Sequence, residues 1–252
     1  MKALITGASS GIGLDMARYL STKKWELILV ARSKDKLEAI QAELPTKVTI
    51  IVADLSNEQK VKELYAFAKK ENIDVLINNA GLGDFGYLTD TDINKDLELI
   101  NTNIKALHIL TKYLVREMEN KETDTYILNV ASAAAFQPGP LMSTYYATKS
   151  YVYQLTEALY HEEKVKNTKV HVSVLCPGPV ETNFNNVANV KFSVKPLKST
   201  YVAKYAIDKM LAGKLLIIPG FKMKCARFFG KFVPNKLMLK ITYNIQKKKA
   251  SE

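Results

Sequence analysis

A chain of 252 residues, 47% hydrophobic, can bury one large α/β core, and nearly all of its net charge of +11 sits at one end. From Lys209 to Ser251 there are eleven Lys or Arg and no Asp or Glu, so the nearly neutral first 208 residues are not a nucleic-acid-binding body by composition. No charged leader opens the chain, no apolar run reaches the ~18 residues of a membrane span, and two cysteines make no disulfide framework; together these predict a cytoplasmic protein.

In chain order, short apolar runs alternate with amphipathic stretches. The runs predict strands at 3–6, 25–31, 48–53, 75–77, 126–130, 170–175 and 215–218. Helices are predicted between them at about 12–23, 34–43, 57–71, 93–120, 144–166 and 200–212. Most runs are rich in Val, Ile or Leu without alternation, as strands covered on both faces are. The order implies right-handed crossovers and a doubly wound parallel sheet of Rossmann type, about seven strands with helices on both faces. The expected partition is one dinucleotide-binding and catalytic domain over 1–220 and a basic amphipathic extension over 221–252.

The first strand runs into Thr6-Gly-Ala-Ser-Ser-Gly-Ile-Gly13. Gly7, Gly11 and Gly13 suit a tight turn, close backbone approach to a pyrophosphate, and close packing of the helix on its strand. The helix start behind them offers unpaired N–H groups and a favourable dipole to phosphate. The second strand ends at Ala31 and is followed by Arg32. An acidic residue there would accept bonds from a ribose 2′-hydroxyl, whereas a guanidinium suits a 2′-phosphate, favouring NADP(H) over NAD(H). The plain alternative is a solvated arginine.

Further along, Ser132 precedes Ser143-Thr-Tyr-Tyr-Ala-Thr-Lys149. Tyr145 and Lys149 stand four apart and share a helical face. A cation beside a phenol favours its ionised form, so this pair is expected to bring the Tyr145 pKa down toward the range of acid–base catalysis. Tyr146, three residues from Lys149, is the competing register.

These elements, with Asp54-Leu55 after the third strand, Asn78-Asn-Ala-Gly81 after the fourth, Asn103 in Asn-Ile-Lys-Ala, and Pro177-Gly-Pro-Val-Glu-Thr182, resemble the short-chain dehydrogenase/reductase family from residue 2 to about 220. The resemblance implies catalysis by Asn103, Ser132, Tyr145 and Lys149 in a carbonyl reductase of NADP(H)-preferring type. Tyr145 would pass a proton, Ser132 hold the substrate oxygen, Lys149 tune Tyr145 and hold the nicotinamide ribose, and Asn103 support a water that links Lys149 to solvent. It implies cofactor contacts from Gly7, Ser9, Ser10, Gly11, Ile12, Gly13, Arg32, Asp54, Leu55, Asn79, Gly81, Tyr145, Lys149, Pro177, Gly178, Val180 and Thr182. Asp54 would meet the adenine, Asn79 and Gly81 the adenine-ribose side, and Thr182 with the backbone near Val180 the carboxamide. It also implies a homodimer or homotetramer through helices 93–120 and 144–166, and a mobile substrate lid over Asn183–Ser199.

Phe184, Val187, Val190, Phe192 and Val194 on that lid favour a small-molecule carbonyl or alcohol with apolar bulk, and 82–86 and 136–140 are expected to line the same cleft. Asp15 reads as a residue serving the helix dipole, Cys176 as a buried structural thiol, and the three histidines show no metal-ligand spacing, so no metal is expected. Past Pro219, aromatic and aliphatic residues interleave with nine basic ones over 221–249. Gly230 and Pro234 predict two short helices there, with Lys247–Lys249 disordered. The extension either packs on the domain and roofs the cleft or meets an anionic membrane surface or an acidic partner; nucleic acid is the less favoured partner. A dinucleotide-binding regulator without turnover is the rival to an enzyme, and a membrane-surface reductase of a lipid-like ketone is a third reading.

Overall fold

The computed structural model describes residues 1–182 and 196–250, and the side chains up to Lys247. The strands are β1 (Lys2–Thr6), β2 (Glu26–Ala31), β3 (Val48–Val52), β4 (Val75–Asn78), β5 (Thr125–Val130), β6 (Val170–Leu175) and β9 (Leu216–Ile217). They form one parallel sheet in the order β3-β2-β1-β4-β5-β6-β9. A two-residue parallel ribbon, β7 (Val180–Glu181) with β8 (Leu197–Lys198), stands apart from it.

Alternate residues of each strand serve opposite layers, which is why the runs read as continuously apolar. Ile5, Leu29, Ile77 and Leu128 pack against Met16 and Leu20 of α1 (Gly11–Thr22), Leu37 of α2 (Lys34–Glu43) and Val202, Ala206 and Ile207 of α7 (Ser199–Leu211). Leu4, Ile28, Leu76 and Ile127 face the other way, onto Leu64 of α3 (Glu58–Lys70) and Leu110 and Leu114 of α5 (Leu107–Met118). Each fully buried aliphatic side chain contributes about 1.5–3 kcal/mol, so both layers are heavily stabilised. The chain doubles back between β1 and β4, and the loops at the carboxyl ends of the strands open a crevice there.

Helix 93–120 is not continuous. It divides into α4 (Ile93–Ile100), capped by Asp92 accepting from the Asn94 N–H, a π-helical turn at Asn101–Ala106, and α5. The wider turn accompanies the tethering of Asn103. Its Nδ2 donates to the Leu82 carbonyl at 2.9 Å and to Thr148 Oγ1 at 3.1 Å, while its Oδ1 accepts from the Leu82 N–H at 2.8 Å.

The extension forms two helices, α8 (Phe221–Gly230) and α9 (Asn235–Ala250). The second runs through Lys247–Lys249, where disorder was expected. Thr242 and Gln246, one turn apart and buried, pin that helix up to the lysines. Asp15 also departs from expectation: it is buried, accepts from the Ser199 hydroxyl and lies 3.5 Å from Arg18, so it ties α1 to α7 rather than serving the dipole.

Candidate active site

The crevice is a cleft of about 500 Å³. Its lining includes Gly7, Ser9, Ser10, Gly11, Ile12, Arg32, Asp54, Leu55, Asn79, Gly81, Ser132, Tyr145, Lys149, Pro177, Gly178, Val180 and Thr182. Two residues expected in the site stand behind its wall. Asn103 is buried under Leu82, and Gly13 lies in the packing between the first turn and Asn79, where an added Cβ would fall 2.4 Å from Asn79 Nδ2 and 2.5 Å from the Gly7 carbonyl.

At one end the turn after β1 holds Gly7 and Gly11 at φ +64° and +55°, conformations that L side chains resist. Asn79 Nδ2 clamps this turn by donating to the carbonyls of Thr6 and Gly7 at 3.0 and 3.1 Å. Ser10 begins α1 without a side-chain cap, leaving the first-turn N–H groups to whatever the cleft holds. Arg32 is there too, but its Nη1 is 2.8 Å from Glu98 Oε1, in a solvent-exposed pair. Asp54 accepts from both the backbone N–H and the hydroxyl of Ser56 at 2.9 Å.

At the other end α6 (Ser143–Val165) presents Tyr145 and Lys149, both buried. Tyr145 is hydrogen-bonded to Ser132, which begins a short 3₁₀ turn and accepts from the Ala134 N–H at 3.1 Å. Lys149 Nζ donates to the Val130 carbonyl at 3.0 Å and sits 5.8 Å from the Tyr145 ring centre. A Cβ on Gly81 would come within 3.2 Å of that Nζ, so the missing side chain leaves room for the ammonium.

The electrostatics correct the expectation for the phenol. Burial pushes Tyr145 up to about 12, against the lowering effect of its bond to Ser132, and the same loss of water drives Lys149 down to about 8. Desolvation outweighs pairing because both groups are inside the protein. Cys176, fully buried beneath, is raised to about 12 for the same reason.

Tyr146 diverges from its neighbour. It packs on Gly139, where a Cβ would overlap its ring at 2.2 Å, and its hydroxyl accepts from Gln246 of α9. Ile245 and Met223 of the extension also line the cleft, Met223 lying against Gly178, and Tyr243 meets Tyr87 at 2.9 Å. The extension therefore walls one side of the site. Tyr146 was the competing register and the tail one expected roof of the cleft, but Met223, Ile245 and Gln246 were not singled out within it. Of the two segments expected to line the cleft, Leu82 and Gln137 do so, whereas Phe136 stacks under Arg227, 4.9 Å from its ring centre. Residues 183–195, most of the expected lid, lie outside the described residues. Among the described residues no three His, Cys, Asp or Glu gather as a metal would require, and no helix is long and apolar enough to cross a membrane.

A family model described as short chain dehydrogenase matches residues 1–191. An uncharacterized oxidoreductase of Staphylococcus epidermidis is 31% identical over 183 residues, spanning 71% of this chain and 78% of that protein. A short-chain dehydrogenase from Sphingobium yanoikuyae in complex with NADPH superposes with a TM-score of 0.83 at 27% identity, covering 92% of each chain. A 3-ketoacyl-(acyl-carrier-protein) reductase from Brucella melitensis complexed with NADH gives 0.77 at 27% identity, covering 86% of this chain and 96% of that one.

Proposed function

The chain belongs to the short-chain dehydrogenase family of oxidoreductases, and from that premise we propose that it is an NADP(H)-dependent enzyme interconverting a ketone or aldehyde and an alcohol. The observation that carries this reading is the convergence of Ser132, Tyr145 and Lys149 on one end of a cleft whose other end is built for phosphate. The cleft fits a dinucleotide in its own right: it is lined by an uncapped helix start and by Gly7 and Gly11 at positive φ.

A bound nicotinamide dinucleotide supplies the hydride. The chain supplies the rest. Tyr145, kept protonated by burial, donates its proton to the substrate oxygen, and Ser132 holds that oxygen in place. Lys149 stabilises the phenolate left behind. Asn103 acts through position: its amide joins the Leu82 backbone to Thr148, whose hydroxyl donates to the Tyr145 carbonyl at 2.8 Å, so it sets the register of α6. Arg32 lines the phosphate end of the cleft, which supports NADP(H) as cofactor; a 2′-phosphate would take the place of Glu98 on its guanidinium.

The substrate side is apolar, with Leu82, Met142, Met223 and Ile245, and favours a carbonyl compound with apolar bulk. Residues 1–220 form the catalytic unit in this reading and 221–252 an extension that completes its wall. Ile93, Leu97, Ile100 and Tyr151 are exposed apolar positions on α4 and α6 and support a homodimer or homotetramer.

Fluorescence titration with NADPH and NADH, followed by NADPH oxidation over a panel of ketones and aldehydes, tests the proposal. Tighter NADPH binding with turnover of any carbonyl is expected. Equal affinity for both cofactors removes the NADP(H) preference, and binding without turnover across the panel favours a regulatory protein.

A further inference from the structure

A second cavity, of about 440 Å³, lies between α7, β9 and α8. Helix α8 separates it from the cleft. Met223 lines the cleft, whereas Lys224, Arg227, Phe228 and Lys231, spaced i, i+3, i+4, i+7, line the second cavity. Lys209 and Lys214 complete a wall of five cations without a carboxylate.

None of the five forms an ion pair with an acid among the described residues. Asp208, next to Lys209, is held away by the Tyr19 hydroxyl at 2.6 Å and Lys204 at 3.0 Å. Arg227 donates to the Tyr153 hydroxyl at 2.7 Å, and that hydroxyl, not the guanidinium, bonds Glu157. Lys224 donates to the Tyr205 hydroxyl at 3.2 Å. Like charges held around one cavity repel, and a multiply charged anion relieves that repulsion while accepting their hydrogen bonds.

The cavity is continuous with an apolar patch. Phe228 belongs to both, and its ring stands 5.3 Å from Phe229 and 5.6 Å from Phe232. Phe228, Phe229 and Phe232 are 59%, 64% and 73% exposed. A free phosphate would satisfy the cations and leave three phenylalanines in water. A nucleic acid would call for a basic stripe, not a pocket. An anionic phospholipid satisfies both features at once.

We propose that this cavity is a headgroup site for anionic phospholipid and that Phe228, Phe229 and Phe232 insert beside it, docking the protein on a membrane surface. The same helix gives Met223 to the cleft, so the docking face and the substrate side share α8. The proposal does not depend on which cofactor the cleft binds.

The test is co-sedimentation of the full chain with phosphatidylcholine vesicles, with and without phosphatidylglycerol. Binding is expected only with phosphatidylglycerol, and weaker as salt rises. Lys209→Gln, Lys224→Gln and Lys231→Gln combined should weaken it by roughly fivefold per lysine, on the order of a hundredfold in all. Phe228→Ser with Phe232→Ser should weaken it at unchanged charge, and thermal melting checks that each variant folds. Binding to neither vesicle, equal binding to both, or undiminished binding by the lysine variant overturns the proposal. So does calorimetric binding of inorganic pyrophosphate without vesicle binding, which would make the ligand a free phosphate compound.

Discussion

The two ends of the cleft hold similar charges in opposite surroundings. At the Tyr145 end the phenol and the ammonium are buried, and loss of water moves both pKa values by more than their neighbours restore. At the Arg32 end the guanidinium is 58% exposed and bonded to a carboxylate in solvent, where such a pair is worth about 0–1 kcal/mol. The buried end is thus suited to chemistry and tolerates little change. The exposed end is suited to choosing between cofactors, because its pair can be exchanged at small cost.

The largest effect tests the buried end. Tyr145→Phe should keep NADPH affinity and lower kcat by about 10²–10⁴, the scale of a general acid. If Tyr146→Phe abolishes turnover and Tyr145→Phe does not, the assignment of the two tyrosines is reversed.

Lys149→Met probes the same burial through stability. The gap between about 8 and the ordinary lysine value of 10.5 corresponds to about 3 kcal/mol against folding. That penalty is complete below pH 8, where the group is charged in both states. It fades between about 8 and 10.5, where the unfolded chain keeps the proton and the folded chain has lost it. Denaturation across pH should show the wild type gaining stability relative to the variant over that window; a pH-independent difference would contradict the depressed value. In the same range, NADPH-dependent kcat/KM should fall as pH rises through about 8, a fall that Lys149→Arg should abolish.

Gly13→Ala addresses the wall behind the phosphate end. The Cβ meets a backbone oxygen at 2.5 Å, so a loss of about 1–3 kcal/mol in stability is expected in urea, together with weaker binding of both cofactors. The smallest effect belongs to Glu98→Gln. Releasing Arg32 should tighten NADPH by up to about fivefold and leave NADH unchanged. A matching gain for NADH would detach Arg32 from the 2′-phosphate.

Much of the fold was legible because the signals are local. Short runs of Val, Ile and Leu alternating with amphipathic stretches read as strands covered on both faces, and Gly7, Gly11 and Gly13 announce a turn that side chains would obstruct. The π-helical turn at Asn101–Ala106 was not legible, since it accompanies bonds from Asn103 to Leu82 and Thr148, residues 21 and 45 positions away. Nor was the partner of Arg32, because Glu98 is 66 positions distant. The partner of Tyr146 escaped for the same reason: Gln246 reaches that hydroxyl from 100 positions away.

The amino-acid order alone determined the layered sheet, the placing of the glycine turn and the separation of a basic tail from a neutral body, all matters of spacing and composition within a few residues. Tertiary structure decided which tyrosine joins Ser132, how far burial displaces the ionisation of Tyr145 and Lys149, and that the tail becomes a wall of the cleft. Those depend on desolvation and on contacts between distant segments, and neither quantity exists until the chain has closed around them.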